Sequence, residues 1–534
     1  MDNKKTFLKG AVVLGIAGII IKFLGAVFRI PLANLIGDTG MAYYNGAYPI
    51  YVFLLTLSTA GIPTAISKLV SERDATGEYY EAHRVFKTSF SLLAVIGATT
   101  SMILFFGAGP ISQLVSNPGS YLAMKAIAPA LLFVPTMAAY RGYFQGMQNM
   151  TPTAVSQVIE QLFRVIAGLS LAFYLYGMGL EFAAAGASSG AAFGGFAGAI
   201  GMGIVYLKHR KSIHARIKKG VVRTREKTSS ILKKILIIAV PVTIGASIMP
   251  IMNMIDMAIV MRRLQTAAGF SYEAASGLYG QLSGMVGAII NFPQVLSMSI
   301  AMSLVPVISA AFKKKDTPFL QHNVELGMRT SFLIGLPCAV GLMVLSEQIM
   351  LLLYPMQQAS AISAAPCLFI LAIGVIFLSA VQTLTGILQG LGKPSVPVIN
   401  LLVGCVIKIV CTYTLVAIPD INVKGAALGT TIAYATAAIL DFIMVIRYTK
   451  TKFNMNMMFI KPLIASVSMG IFVFVSYRLV NMYLGNSLST LVAVLVGMVT
   501  YAFILIFIKG VTAEEVKMLP KGNKLAKILE KFQR

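Results

Sequence analysis

The chain has 534 residues, of which 57% are hydrophobic and only 12% charged. Soluble domains carry about 25% charged residues, so a soluble globular protein is excluded, and so much apolar surface also excludes disorder. The net charge is +25. In a soluble chain that balance would suggest nucleic acid. Here the question becomes where the cations sit.

A membrane-crossing helix needs about 20 mostly apolar residues. Fourteen stretches qualify, at 11–36, 45–67, 88–107, 121–140, 152–176, 183–207, 235–261, 278–304, 330–346, 366–390, 396–417, 425–446, 463–481 and 487–508. The opening imitates a signal peptide, with Lys4, Lys5 and Lys9 before the apolar stretch Ala11 to Ile21. No A-x-A cleavage pattern follows, and the apolar pattern runs on through Lys22 to Gly37 as a full span. Pro63, Pro129, Pro135, Pro241, Pro250 and Pro293 predict kinks, which membrane bundles tolerate. Trp is absent, so an interfacial aromatic belt must be Tyr. Cys338, Cys367, Cys405 and Cys411 lie in apolar runs, and His83, His209, His214 and His322 in polar ones. Neither set has metal-ligand or disulfide spacing.

With the N-terminus inside, 35 Lys and Arg fall in inner segments, 3 in outer segments and 6 within spans. One missed helix would exchange sides for everything after it. Both termini are therefore expected in the cytoplasm, with an even number of spans. The tail from Asn523 reads as an amphipathic helix, with Leu525, Ile528, Leu529 and Phe532 on one stripe and Lys524, Lys527 and Lys531 beside it. Such a helix suits anionic lipids of the inner leaflet.

The chain also echoes itself. Lys87-Thr88-Ser89-Phe90 opens the third span and Arg329-Thr330-Ser331-Phe332 the ninth, 242 positions later. Ile66-Ser67 and Ile308-Ser309 share that offset. Gly142-x-x-Gln145-Gly146 closes the fourth span, Gly386-x-x-Gln389-Gly390 the tenth, and Arg164 and Lys408 share their offset of 244. Several ordered matches at nearly one offset mark a duplication. An even number of spans per copy keeps both copies in one orientation. The expected architecture is an all-α polytopic membrane protein of 14 transmembrane helices: two six-helix lobes in parallel repeat plus two extra C-terminal helices. Its parts are an N-lobe at 1–207, a basic cytoplasmic interlobe linker at 208–234, a C-lobe at 235–447, helices thirteen and fourteen within 448–508, and a basic amphipathic tail at 509–534. Two like-oriented lobes are the architecture of an alternating-access carrier.

Charges within spans are expensive and mark function by default. Lys125 and Arg478 lie near span ends and can snorkel. Lys22 and Arg29 are two turns apart on one helix face, about 10 Å along the axis, and are expected to face a polar cavity. Glu160 and Arg164 stand at i, i+4 and can pair. At the equivalent place Lys408 has Gly404 where Glu160 would be, so it needs a partner from another helix or an anionic ligand. Asp256, Asp441 and Glu160 are the intramembrane acids. They are candidates for coupling to H⁺ or Na⁺, or for structural pairing with Arg262 or Arg447. Surplus positive charge suits an anion. There is no P-loop, Ser-His-Asp or paired-carboxylate constellation, so an enzyme is not expected.

The residues then become recognisable. Thr6-Phe7-Leu8-Lys9-Gly10, Phe23-Leu24-Gly25 and Leu35-Ile36-Gly37 resemble the first span of polysaccharide and lipid II flippases. The stretches from Gly61 to Glu72 and from Arg141 to Pro152 resemble the stage V sporulation protein B branch of the multidrug/oligosaccharidyl-lipid/polysaccharide (MOP) flippase superfamily. The resemblance implies a flippase moving an undecaprenyl-pyrophosphate-linked saccharide across the bacterial cytoplasmic membrane, for lipid II or another cell-envelope polysaccharide precursor. Lys22 matches a first-span cation that holds the pyrophosphate in lipid II flippases, and Arg29 is offset by one position from another. Spans two and eight contain no Lys or Arg, where the lipid II branch has cavity arginines. The outer-mouth aspartate of that branch falls near Tyr43, with Asp38 the nearest acid.

The expected substrate-binding residues are Lys22, Arg29, Arg164 and Lys408. No cofactor or metal is expected, and the driving force would be a Na⁺ or H⁺ gradient or the membrane potential. Expected partners are the lipid-linked saccharide, anionic membrane lipids and cell-wall synthesis proteins, with no nucleic acid. The rival expectation is a cation-coupled multidrug antiporter on the same fold. A third is a non-transporting scaffold of a cell-envelope machine.

Overall fold

A computed structural model describes residues 2–221 and 226–511, with side chains at residues 17, 18 and from 20 onward. The amphipathic tail from Asn523 and the side chains of Lys4, Lys5 and Lys9 lie outside the described residues. Helix is the only extended regular structure among those described. The first helices are α1 (Asp2–Thr59), α2 (Ile62–Ala75), α3 (Tyr79–Leu114), α4 (Tyr121–Ile127), α5 (Ala130–Gly146), α6 (Thr151–Leu175), α7 (Leu180–Lys219), α8 (Thr228–Thr266) and α9 (Tyr272–Gly280). There follow α10 (Gly287–Lys314), α11 (Thr317–Val344), α12 (Ser346–Leu353), α13 (Gln358–Gly390), α14 (Ser395–Leu415), α15 (Lys424–Thr449) and α16 (Lys461–Phe507).

Twelve helical stretches among the described residues are long and apolar enough to cross a membrane. Two of them fold back on themselves. Gly37 breaks α1 at φ 66°, ψ −172°, and Phe28 before it comes 5.8 Å, ring to ring, from Tyr44 after it. Gly485 breaks α16 at φ 68°, ψ 173°, and Tyr477 donates to Asn486 across the bend at 2.9 Å. Only glycine adopts these angles without strain. Twelve stretches with two hairpins are compatible with fourteen crossings.

The described chain forms two compact units, 2–221 and 226–265 with 270–284, and 285–511 with 266–269. In the first, Ile66, Leu69 and Val70 of α2 pack with Val85, Phe86 and Leu93 of α3, Tyr143 of α5 and Ile213 of α7. The first half of α8 joins this core through Ile231, Ile235 and Ala239, although the repeat makes α8 the opening helix of the second lobe. An ionic clasp holds it there. Glu226 accepts from Arg73 at 2.6 Å, Lys234 at 2.6 Å and Ser230 at 2.5 Å, and its carbonyl accepts from Arg84. On α7, Gly186, Gly190, Gly194 and Gly198 recur every fourth residue. A Cβ on the middle two would meet the backbone of Arg164 and Glu160. Small residues at this spacing let two membrane helices approach closely, and they seat α6 against α7.

In the second unit, Leu384, Ile387 and Leu388 of α13 pack with Ile308, Val324, Met328 and Leu336 from α10 and α11, and with Ala437, Ala438 and Val445 of α15. The duplication is visible in the packing within each unit. Gly146 lies against Val70 and the Ser67 carbonyl, and Gly390 against Ile308 and the Val305 carbonyl. The structural equivalents are therefore Val70 with Ile308 and Ser67 with Val305. The pairing of Ile66-Ser67 with Ile308-Ser309 is out by one helical turn, because a short identity on an apolar helix leaves its register open. Gly190 against the Arg164 carbonyl likewise matches Gly429 against the Lys408 carbonyl.

Candidate functional site

The first part of α1 has one exposed apolar stripe formed by Ile20, Phe23, Val27 and Pro31. Lys22 and Arg29 lie outside it, on the side of Gly25 (about 100° of rotation per residue). Gly25 is the point where α1 meets Gln161 of α6, and Phe28 packs on Gly168 of the same helix. Lys22 is exposed and has no polar partner among the described residues. Arg29 is half-buried, its guanidinium 5.7 Å from the Tyr48 ring. It makes no ion pair among the described residues.

Arg29 begins a ladder. Past the Gly37 bend, Tyr44, Tyr48 and Tyr51 stand at i, i+4, i+7 on one face, with neighbouring rings 6.0 and 6.1 Å apart. At the far end Arg164 Nη2 lies 3.5 Å from the Tyr51 hydroxyl. Both Arg29 and Arg164 act electrostatically on Tyr44, so the two cations converge on one tyrosine row. Sequence reasoning passed over this row, though its helical spacing was legible.

Glu160 and Arg164 form the ion pair that their i, i+4 spacing predicts, at 3.9 Å, and Glu160 has a second, closer partner. Arg141 Nη2 donates to it at 3.0 Å, and Arg141 Nε to Ser156 at 2.9 Å. The spans expected from sequence, 121–140 and 152–176, leave Arg141 in the segment between them. Arg141 ends on α5 with a side chain only 12% exposed. Glu160 is thus neutralised by Arg141, and the buried Nε of Arg164 is left without a partner. A carboxylate binds its bidentate or closest guanidinium far more strongly than one at the limit of ion-pair range. Within the apolar part of α1 and α6, then, three cations (Lys22, Arg29 and Arg164) have one carboxylate near them, and Arg141 already holds it.

The remaining candidates are dispersed. Asp38 follows the Gly37 bend, accepts the Thr39 backbone N–H at 2.7 Å, and takes a hydrogen bond from Gln281 at 2.9 Å. Asp256 is half-buried on α8 and acts, with Arg29, on the buried Tyr279. Lys125 rests on Tyr121 at 4.5 Å, and Arg478 on Phe474 at 4.6 Å. In the second unit, Lys408 is half-buried on α14, and Asp441 is fully buried on α15, accepting from Asn400 at 2.8 Å. That unit also contains an apolar trough of about 560 Å³ lined by Phe292, Leu296, Pro337, Gly341, Met469 and Tyr501 among others, from α10, α11 and both arms of α16.

Residues 7–312 match the family model described as polysaccharide biosynthesis protein, and residues 241–414 match that described as MatE. The chain is 30% identical to stage V sporulation protein B of Bacillus subtilis (strain 168) over 431 residues, 80% of this chain and 81% of the relative. It is 28% identical to the lipid II flippase MurJ of the same organism, over 83% of this chain and 82% of the relative. Among solved structures, the lipid II flippase MurJ in an inward closed conformation aligns with TM-score 0.69 at 16% identity, covering 93% of this chain and 99% of that one. The chain belongs to the polysaccharide biosynthesis protein family, within the MOP flippase superfamily.

Proposed function

From that membership, we propose that the protein is a flippase for a polyprenyl-pyrophosphate-linked saccharide, working by alternating access in the bacterial cytoplasmic membrane with both termini in the cytoplasm. The observation that carries this reading is the sign of the first unit's interior. Glu160 is held most closely by Arg141 at 3.0 Å, Arg164 shares that one carboxylate at 3.9 Å, and Arg29, on the same tyrosine row, makes no ion pair among the described residues, so the cations outnumber the carboxylates. Fixed cations in a low-dielectric wall attract an anion, and guanidinium groups suit the oxygens of a diphosphate. Tyr48, the one partly exposed ring of the row, offers a face on which a sugar can stack, while Tyr44 and Tyr51 are buried behind it. The apolar trough of the second unit suits an isoprenoid chain, since its lining offers dispersion contacts and almost no polar atom. Lys22 would extend the cationic row, and Lys408 would supply the second unit's cation.

The MatE match leaves a cation-coupled multidrug antiporter as the second reading. A cationic drug prefers bare carboxylates, and Glu160 is not bare, which favours the anion. The test is complementation of a bacterium depleted of its lipid-linked precursor flippase, with the accumulating precursor identified. Wild type should relieve the accumulation, while the Lys22→Ala/Arg29→Ala double variant, present at wild-type level in the membrane, should not. Relief by the double variant, or export of a fluorescent cation by wild type, would overturn the reading.

A further inference from the structure

The three acids within the spans expected from sequence have different surroundings. Glu160 is salt-bridged to Arg141, and Asp256 is half-buried and engaged by neighbours. Asp441 is fully buried and accepts one hydrogen bond, from Asn400 Nδ2 at 2.8 Å. Its second oxygen, Oδ2, is shielded from solvent and has no partner. An ionised carboxylate accepts at about four lone-pair sites. Out of water it needs a counter-charge or several donors. Asp441 has one neutral donor and forms no ion pair among the described residues.

The elements packed around it do not supply the missing charge. Helix α13 has no charged side chain from Gln358 to Gly390 and one titratable group, Cys367; it presents Leu384, Ile387 and Leu388 to the same core as Ala437, Ala438 and Val445. On α14, Lys408 lies eight residues beyond Asn400, about 12 Å up the axis, with Cys405, Cys411 and Tyr413 also above Asn400. On α11, Glu325 accepts the Asn454 N–H, Arg329 donates to the Gly510 carbonyl, and His322 has its own interactions. On α15 itself, Tyr434 and Lys424 lie two or more turns to one side, and Arg447 and Tyr448 nearly two turns to the other. The repeat sharpens the contrast. Ser156 stands where Asn400 does at the 244 offset, and there Arg141 neutralises the local acid.

We propose that Asp441 is a proton-binding site: a carboxylic acid, held by Asn400, that keeps its proton while it is buried and releases it as a carboxylate when water reaches it during transport. A proton needs no further ligand. A metal cation needs several oxygens, and the neighbour hydrogen-bonded to Asp441 turns a donor towards it, the Asn400 Nδ2, not an oxygen. The inference rests on the transporter reading for its purpose, since it names the coupling ion, but not for its measurement.

The test begins on the purified full-length chain in lipid nanodiscs without substrate. Infrared difference spectroscopy near neutral pH should show a carboxylic-acid carbonyl band that is insensitive to sodium chloride, shifted in Asn400→Leu and absent in Asp441→Asn. No Asp441-dependent band, or a band abolished by sodium, overturns the proposal. In proteoliposomes, a pH gradient should alter wild-type flipping of a fluorescent polyprenyl-pyrophosphate saccharide, and Asp441→Asn should lose that response. An unchanged gradient response in Asp441→Asn also overturns the proposal. If no variant flips the lipid at all, the flippase reading fails while the infrared result still decides on Asp441.

Discussion

The roles of the two arginines that share Glu160, Arg141 at 3.0 Å and Arg164 at 3.9 Å, can be separated by substitution. Arg141→Met removes the 3.0 Å donor and leaves Glu160 with Arg164 at 3.9 Å. Stranding one member of a buried pair costs about 3–5 kcal/mol when nothing replaces it. Here the side chains are 12% and 16% exposed, and Arg164 can swing in, so about 2 kcal/mol is expected. At about 2 °C per kcal/mol for a unit of this size, the thermal midpoint should fall by about 4 °C. Transport should fall too, because Arg164 is then drawn to Glu160 and no longer available to an anion. Arg164→Met leaves the Arg141 pair intact and removes a buried unpartnered Nε together with the 3.9 Å contact, so it should destabilise less than Arg141→Met, yet abolish flipping. Adding Glu160→Gln to Arg141→Met removes the stranded charge and should recover most of the lost stability. The assay is a double-mutant cycle by thermal unfolding in detergent, paired with flipping in proteoliposomes. Equal destabilisation by the two Arg substitutions, or no recovery in the double variant, would refute the assignment.

Three further expectations concern other parts of the molecule. Gly341→Leu, which fills the apolar trough where a Cβ meets only Met469 at 3.9 Å, should reduce flipping of long-chain polyprenyl substrates more than short-chain ones, with little change in thermal midpoint. Gly485→Ala places a Cβ at φ 68°, ψ 173° and should destabilise by about 1–3 kcal/mol, read as a lower thermal midpoint. Burial pushes the Glu226 carboxyl up, but hydrogen bonds from Lys234, Ser230 and Arg73 hold it at about 2, below its ordinary 4.5. A depressed carboxylate stabilises fully above its unfolded value and loses that contribution only as pH falls towards the folded value. Protease access to the 208–234 segment should therefore stay constant from about pH 8 to pH 5, whereas Glu226→Gln should raise it throughout that range.

Much of this protein was legible along the chain. Apolar runs long enough to cross a bilayer can do little but become helices, because no water satisfies the backbone there. The two short gaps at Gly37 and Gly485 were legible as loops between spans for the same reason. The duplication was legible because glycines that seat one helix on another, Gly142 with Gly146 and Gly386 with Gly390, keep their spacing in both copies. The first-span cations stood out because a charge in an apolar run is costly wherever it points.

Only the tertiary structure decided who partners whom. The i, i+4 rule looks along one helix and paired Glu160 with Arg164; Arg141, 19 residues away across a loop, reached the same carboxylate with shorter contacts. The register of the repeat shifted by one turn, since apolar identities slide along a helix while backbone contacts at glycine do not. Glu160 and Asp441 look alike in sequence, each a lone acid in an apolar helix. Their difference lies in the opposite wall, where one meets a guanidinium and the other a single amide. Electrostatic character inside a low-dielectric wall is set by the nearest few ångströms, and those ångströms are supplied by segments distant in the chain.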